Sequence, residues 1–188
     1  MKKIVLLVLC LAGCIVHAVG EEEKLGPRID FSVDNAYISH PYYLSADSAQ
    51  ENLSQNVTLK FTAAKKNRSW AYLAVRIPEL QWDNSYSGVK IVYKAVLPPG
   101  LQMSFVVEES EVAYEFKWTP EKTGEWCTVV ISFAKMLPST WNRKADSNNQ
   151  LDVNLIRTVL LGVTGQTPPG ATELQGRIEV DNVHLLRK

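Results

Sequence analysis

The sequence is poor in the residues that build metal and redox sites. It has three histidines and three cysteines among 188 residues. Cys10, Cys14 and His17 fall in the first 20 residues, which leaves His40, His184 and Cys127 for the rest. Two scattered histidines and one cysteine offer no zinc-ligand spacing. A single cysteine excludes a disulfide within the folded part, and Cys127 reads as a small buried hydrophobe on a strand. Net charge is lacking too. The formal charge is zero, and losing Lys2 and Lys3 with a leader leaves 18 cations against 20 anions, a net −2. That gives no electrostatic reason to expect nucleic acid or an anionic membrane surface as partner. There is no Gly-x-Ser-x-Gly, no phosphate loop and no His-rich metal motif. Internal repeats, low-complexity tracts and long amphipathic helices are absent as well.

What is present begins with a targeting segment, residues 1–20. Lys2-Lys3 is its positive start and Ile4 to Ala12 its apolar core. The run is too short to read as a transmembrane helix. Two processing sites compete. Leu11-Ala12-Gly13-Cys14 matches a bacterial lipobox at every position, with Cys14 as the lipidated residue, although Ile15-Val16 is apolar for the start of a tether. Ala18-Val19-Gly20 is a small-residue cleavage site that would release a soluble protein. Both readings export the chain, and the lipobox is preferred. The expected location is therefore the bacterial cell envelope, with membrane contact through the lipid anchor only. The alternative is a soluble periplasmic or secreted form. Residues 21–27, charged and ending in Gly26-Pro27, read as a tether, and 28–188 as one domain.

Within that domain hydrophobic residues alternate with polar ones. Hydrophobic residues make up 46% of the chain, enough for a sizeable core. Ile29, Phe31 and Val33 mark a first strand over 28–33. Further strands follow at Val57 to Phe61, Trp70 to Ile77, Val89 to Ala95, Leu101 to Val107, Val112 to Trp118, Trp126 to Phe133 and Asn154 to Val163. Pro41 demotes Tyr37 to Leu44 to an edge or a loop. Residues 134–149 form a long connection with room for one helical turn. The last strand, Gly176 to Leu185, is the most informative. Ile178 and Val180 alternate, the phase breaks at Asp181-Asn182, and it resumes at Val183 and Leu185. One extra residue of this kind is a β-bulge. About nine strands separated by Gly, Pro, Asn and Asp turns predict an all-β protein, a β-sandwich or jelly roll.

Alternation also sorts the faces. Trp70, Tyr72 and Arg76 lie opposite Leu73 and Val75. Gln102, Ser104 and Glu108 lie opposite Met103 and Phe105, and Glu115 and Lys117 lie opposite Tyr114 and Phe116. If these strands are neighbours they make one polar and aromatic patch. The same alternation is what any solvated sheet face shows. Tyr114, Phe116 and Trp118 read as core; facing outward, they would be the binding platform instead. Trp82, Tyr86 and Trp141 fall in loops, where an aromatic either reaches a ligand at the sheet rim or caps the core.

The order of features resembles a known family. Gly124-Glu125-Trp126-Cys127-Thr128-Val129-Val130-Ile131-Ser132-Phe133, the strand Leu155 to Gly162 and the closing Gly176 to Leu185 resemble the strands of galactose-binding-like jelly rolls. Together they are similar to family-eleven carbohydrate-binding modules and complex I intermediate-associated protein domains. Ser132 departs from the pattern, standing where proline is usual. The motifs are mostly packing positions, so they speak to fold more than to ligand.

The resemblance implies a non-catalytic module that binds a poly- or oligosaccharide. Sugars stack their C–H faces on aromatic rings and hydrogen-bond to polar side chains. Trp70, Tyr72, Arg76, Gln102, Glu108 and Glu115 are the expected ligand residues. It also implies a structural calcium near the chain ends, with Asp30 and Asp181 as oxygen ligands. Otherwise Asp181 would simply hold the bulge. The alternative function is an envelope lipoprotein with a structural or assembly role and a protein partner. A polysaccharide-active enzyme ranks below both. A glycosidase needs two carboxylates across a cleft, whereas Glu108, Glu109, Glu111 and Glu115 cluster at one hairpin.

Overall fold

In the computed structural model, the described residues are 24–31, 36–39, 57–63, 69–77, 82–109, 112–142, 146, 148–166 and 174–188. They contain eleven strands: β1 (Leu25–Arg28), β2 (Ala36–Ser39), β3 (Val57–Ala63), β4 (Ser69–Arg76), β5 (Tyr86–Val96), β6 (Leu101–Glu109), β7 (Val112–Trp118), β8 (Trp126–Ser132), β9 (Leu137–Pro138), β10 (Ile156–Gly165) and β11 (Leu174–Arg187). Two single 3₁₀ turns, Phe133–Lys135 and Val153–Leu155, are the helical elements among them. None of the described helices is long and apolar enough to cross a membrane.

The strands form two antiparallel sheets. One has the order β1-β11-β5-β8, with β3 also on β11. The other has the order β2-β4-β10-β6-β7-β9. Their facing sides bury the alternating residues read from the sequence. Ala71, Leu73 and Val75 of β4, Met103, Phe105 and Val107 of β6, and Val89, Ile91, Tyr93 and Ala95 of β5 all enter one core. Burying each large apolar side chain contributes on the order of 2 kcal/mol. Tyr114 faces inward, with Phe116 and Trp118 packed against the same core. The Trp118 indole donates to the Tyr93 hydroxyl at 2.9 Å. Trp82 and Tyr86 are buried caps; Trp82 stacks on Phe133 with ring centroids 6.1 Å apart. Cys127 is half-buried against this core.

The last strand organises its sheet. Residues Leu174 to Val180 of β11 pair with β3, and Leu186 and His184 pair with Leu25 and Arg28 of β1. On its other edge β11 runs beside β5, and that register slips between Val180 and Asn182. The bulge predicted at Asp181-Asn182 is therefore present. Ile178, Val180, Val183 and Leu185 all point into the core because of it. It sits where β11 passes from one neighbour, β3, to the next, β1.

The start of the domain needs correction. The expected first strand over 28–33 is shifted: β1 covers 25–28, part of the stretch read as a tether. Ile29 and Phe31 follow it as buried core residues outside any strand. Pro27 is tolerated because β1 is an edge strand, where one ladder partner is missing anyway. Val33 lies outside the described residues, as does the loop expected at 45–55.

Asp30 is exposed. The Asp181 carboxylate accepts from the Asn182 amide at 2.6 Å, and its carbonyl accepts from the Arg28 guanidinium at 3.0 Å. Among the described residues no three acidic, histidine or cysteine side chains gather as a metal would require.

Candidate functional site

The outer face of the six-stranded sheet carries the site. Register places its residues in rows across β4, β10, β6 and β7. Trp70 stands beside Thr164 and Gln102. Tyr72 lies in line with Gly162, Ser104 and Lys117, Ala74 with Leu160, Val106 and Glu115, and Arg76 with Thr158, Glu108 and Ala113. Ala74, Val106, Ala113 and Leu160 form a second, small apolar cluster with Tyr72, and Trp70 packs against it. Two alanines in this cluster keep the floor low. The result is a groove of about 500 Å³ along β10. Its lining on β10 runs from Leu160 to Gly165, about 17 Å at the rise of a strand. Trp70 and Trp141 line it, and Glu108, Lys117, Thr140, Thr164 and Gln166 add polar groups.

Tyr72 crosses the sheet because Gly162 has no side chain. A Cβ on Gly162 would sit 1.9 Å from the Ala71 carbonyl oxygen, so β4 and β10 approach as closely as they do only with glycine there. The Tyr72 ring spans β10 and its hydroxyl donates to Ser104 Oγ on β6 at 3.1 Å. Ser104 Oγ in turn donates to Glu115 Oε1 at 2.7 Å. Glu115 Oε2 accepts from Lys117 Nζ at 2.9 Å and from Ser139 Oγ at 3.4 Å. Both oxygens of this buried carboxylate are therefore satisfied, as a charge out of water requires. Burial holds the Tyr72 hydroxyl far above the ordinary tyrosine range, and the Glu115 charge adds to the effect; the bond with Ser104 opposes it.

Trp141 is held from behind. The Asn142 side chain copies a strand partner: its amide donates to the Ala113 carbonyl at 2.9 Å, and its oxygen accepts from the Ala113 N–H at 2.9 Å. The Ser139 N–H donates to that same carbonyl at 2.8 Å. These bonds fasten the turn bearing Trp141, which is 46% exposed.

Of the six residues expected at a ligand, the structure places Trp70, Tyr72 and Glu108 in the groove wall. Tyr72 is 3% exposed, with the Trp70 ring 5.9 Å from its own, so little of its ring is open for stacking. Glu115 lies under the groove as the hub of the buried network. Gln102 and Arg76 lie apart from it: Gln102 donates to Thr119 at 3.4 Å, and Arg76 sits over the Tyr37 ring at 5.9 Å. Sequence reasoning did not select Thr140, Thr164, Gln166 or Asn142. Thr140, Asn142 and Gln166 lie outside the strands and give no period, and Thr164 stands on β10 one residue past the strand end expected at Val163, so no signal marked them.

Below the far end of β6 lies a second buried acid. Glu109 is 5% exposed and accepts from the Asp152 N–H at 2.7 Å. Burial first, then the charges of Asp146 and Asp152, push its carboxyl up from 4.5 to about 7. The folded state thus binds this proton more tightly than the unfolded one. Its contribution is fully present below about pH 4.5 and is lost as pH rises through about 7. In Glu109→Gln the loss of stability between pH 5 and pH 7.5 should shrink, as thermal melts at about those two values would show. An unchanged slope would assign the effect to another group.

No protein-family model and no curated protein matches the sequence. Solved structures do match in shape. The family 11 carbohydrate-binding module of a cellulosomal cellulase from Clostridium thermocellum aligns over 91% of this chain and 96% of its own, with 18% identity and a TM-score of 0.62. A family 11 module from the same organism, solved with a β-1,3-1,4-mixed-linked tetrasaccharide, aligns over 85% of this chain and 94% of its own, with 16% identity and a TM-score of 0.63. At such identities the likeness is one of fold, and in fold this chain is a two-sheet β-sandwich jelly roll like the family 11 modules.

Proposed function

We propose that this chain is a non-catalytic carbohydrate-binding protein that holds an oligo- or polysaccharide along the groove over β10. The observation that carries this is a single groove lined by two tryptophans, Trp70 and Trp141, with apolar Leu160 between polar Glu108, Lys117, Thr140 and Gln166. Such a trough suits a sugar chain, whose faces are apolar and whose edges are hydroxyls. The shared fold with a module solved with a bound tetrasaccharide supports the same reading. Glycoside hydrolysis would need two free carboxylates, and Glu115 is taken up by Ser104, Lys117 and Ser139. Isothermal titration of the purified chain against neutral β-glucan, galactan and other oligosaccharides tests the proposal. Saturable heat with at least one of them is expected. Folded protein that binds none would end it.

The chain would work outside the cytoplasm, tethered through a lipid on Cys14. The charged and apolar leader with Leu11-Ala12-Gly13-Cys14 supports this. Expressed in a bacterium, the wild type should fractionate with membranes and carry a lipid-modified N-terminal cysteine by mass spectrometry. Cys14→Ser should lose the lipid. A wild-type N-terminus at Glu21 would favour ordinary cleavage instead.

A further inference from the structure

Lys117 is the one cation among the described residues lining the groove. A lysine at such a place would ordinarily draw carboxylates and sulfates, yet its charge is already answered. Nζ lies 2.9 Å from Glu115 Oε2, and the Glu115 side chain is 6% exposed against 39% for Lys117. The anion is therefore beneath the groove, where screening by water and salt is weakest. It cannot swing away, because Ser104 Oγ holds its other oxygen at 2.7 Å. One strand builds the pair, since residues two apart on β7 share a face. Glu108 adds a negative charge to the wall.

We propose that Glu115 is a specificity-determining residue: by neutralising Lys117 from below, it keeps the groove unreceptive to anionic glycans and leaves it to uncharged ones. This rests on the carbohydrate-binding reading. Glu115 need not touch the sugar. It acts by deciding whether the lysine presents a free cation, and it is distinct in this from a residue that merely fills the floor. A charge-assisted hydrogen bond from a freed lysine to a uronate carboxylate is strong enough to change affinity about tenfold or more.

The test uses three probes: the mixed-linked β-glucan tetrasaccharide, an oligogalacturonate and a glucosamine oligomer. Affinities are measured for wild type, Glu115→Gln and Lys117→Gln at low and high salt, with folding checked by circular dichroism. Glu115→Gln should raise the ratio of anionic to neutral affinity about tenfold, and salt should abolish the gain. Lys117→Gln should do the mirror image, leaving Glu115 unanswered and raising the ratio of cationic to neutral affinity. A folded Glu115→Gln that binds the neutral probe with an unchanged ratio overturns the inference. If Glu115→Gln does not fold, Lys117→Gln decides: a raised cationic ratio upholds the inference and an unchanged one overturns it. If the wild type binds another neutral oligosaccharide of the titration panel instead, that one serves as the neutral probe; folded wild type that binds no member defeats the carbohydrate reading itself, and this inference falls with it.

Discussion

Trp141→Ala should cut glycan affinity about 30-fold or more while leaving the melting temperature nearly unchanged. Aromatic anchors at the centre of a binding surface commonly cost 2 kcal/mol or more on truncation. Trp141 is half-exposed, outside both core clusters and carried on a turn fastened by Asn142, so its ring is held ready for a ligand. Trp70→Ala should lose similar affinity and some stability as well, because Trp70 packs on the outer apolar cluster and beside Tyr72. Titration and thermal melts on the same samples separate the two effects. A Trp141→Ala protein that binds like wild type would move the site off this groove.

Gly162→Ala should be the most destabilising single-methyl change at the site. The added carbon would meet the Ala71 carbonyl oxygen at 1.9 Å and the Tyr72 Cα at 2.7 Å. Both are backbone atoms of the paired strand, which cannot step aside as a side-chain end can. Overpacking of this kind costs about 3 kcal/mol or more, which for a chain of this size lowers the melting temperature by roughly 10 °C. Moving β4 away from β10 would also pull Tyr72 from Ser104, so binding and stability should fall together. Thr164→Ala, two residues along on the same face, is the control expected to melt near the wild type. If both variants melt like wild type, the close approach of β4 and β10 is relaxed at little cost.

Much of this architecture is legible in the order of residues. The alternation of Ala71, Leu73 and Val75, or of Val89, Ile91 and Tyr93, follows from the two-residue period of a strand beside a single core. The broken phase at Asp181-Asn182 announced the bulge for the same reason. Tyr114, Phe116 and Trp118 were read as core, and their inward face agrees. The shift of the first strand was not legible. Pro27 argues against a strand unless one knows that β1 lies at an edge, and edges are set by which strands pair.

The site was half legible. Trp70, Tyr72 and Glu108 came from alternation alone. Trp141 came only as a loop aromatic with two possible fates; it lines the groove while Trp82 and Tyr86 cap the core. Nothing in the order of residues told these apart, because the difference lies in what folds back against each ring.

The sequence by itself determined the fold class, the inward faces of strands such as β4, β5, β6 and β7 and the position of the bulge, since these follow from local period and from burying one face. Only the tertiary structure decided that β4, β10, β6 and β7 lie side by side. That adjacency lets Tyr72 reach across Gly162 to Ser104 and turns Glu115 from a candidate ligand into the buried partner of Lys117. It also brings Trp141 into the same groove as Trp70. Contacts between strands far apart in sequence depend on pairing order, which no local periodicity encodes.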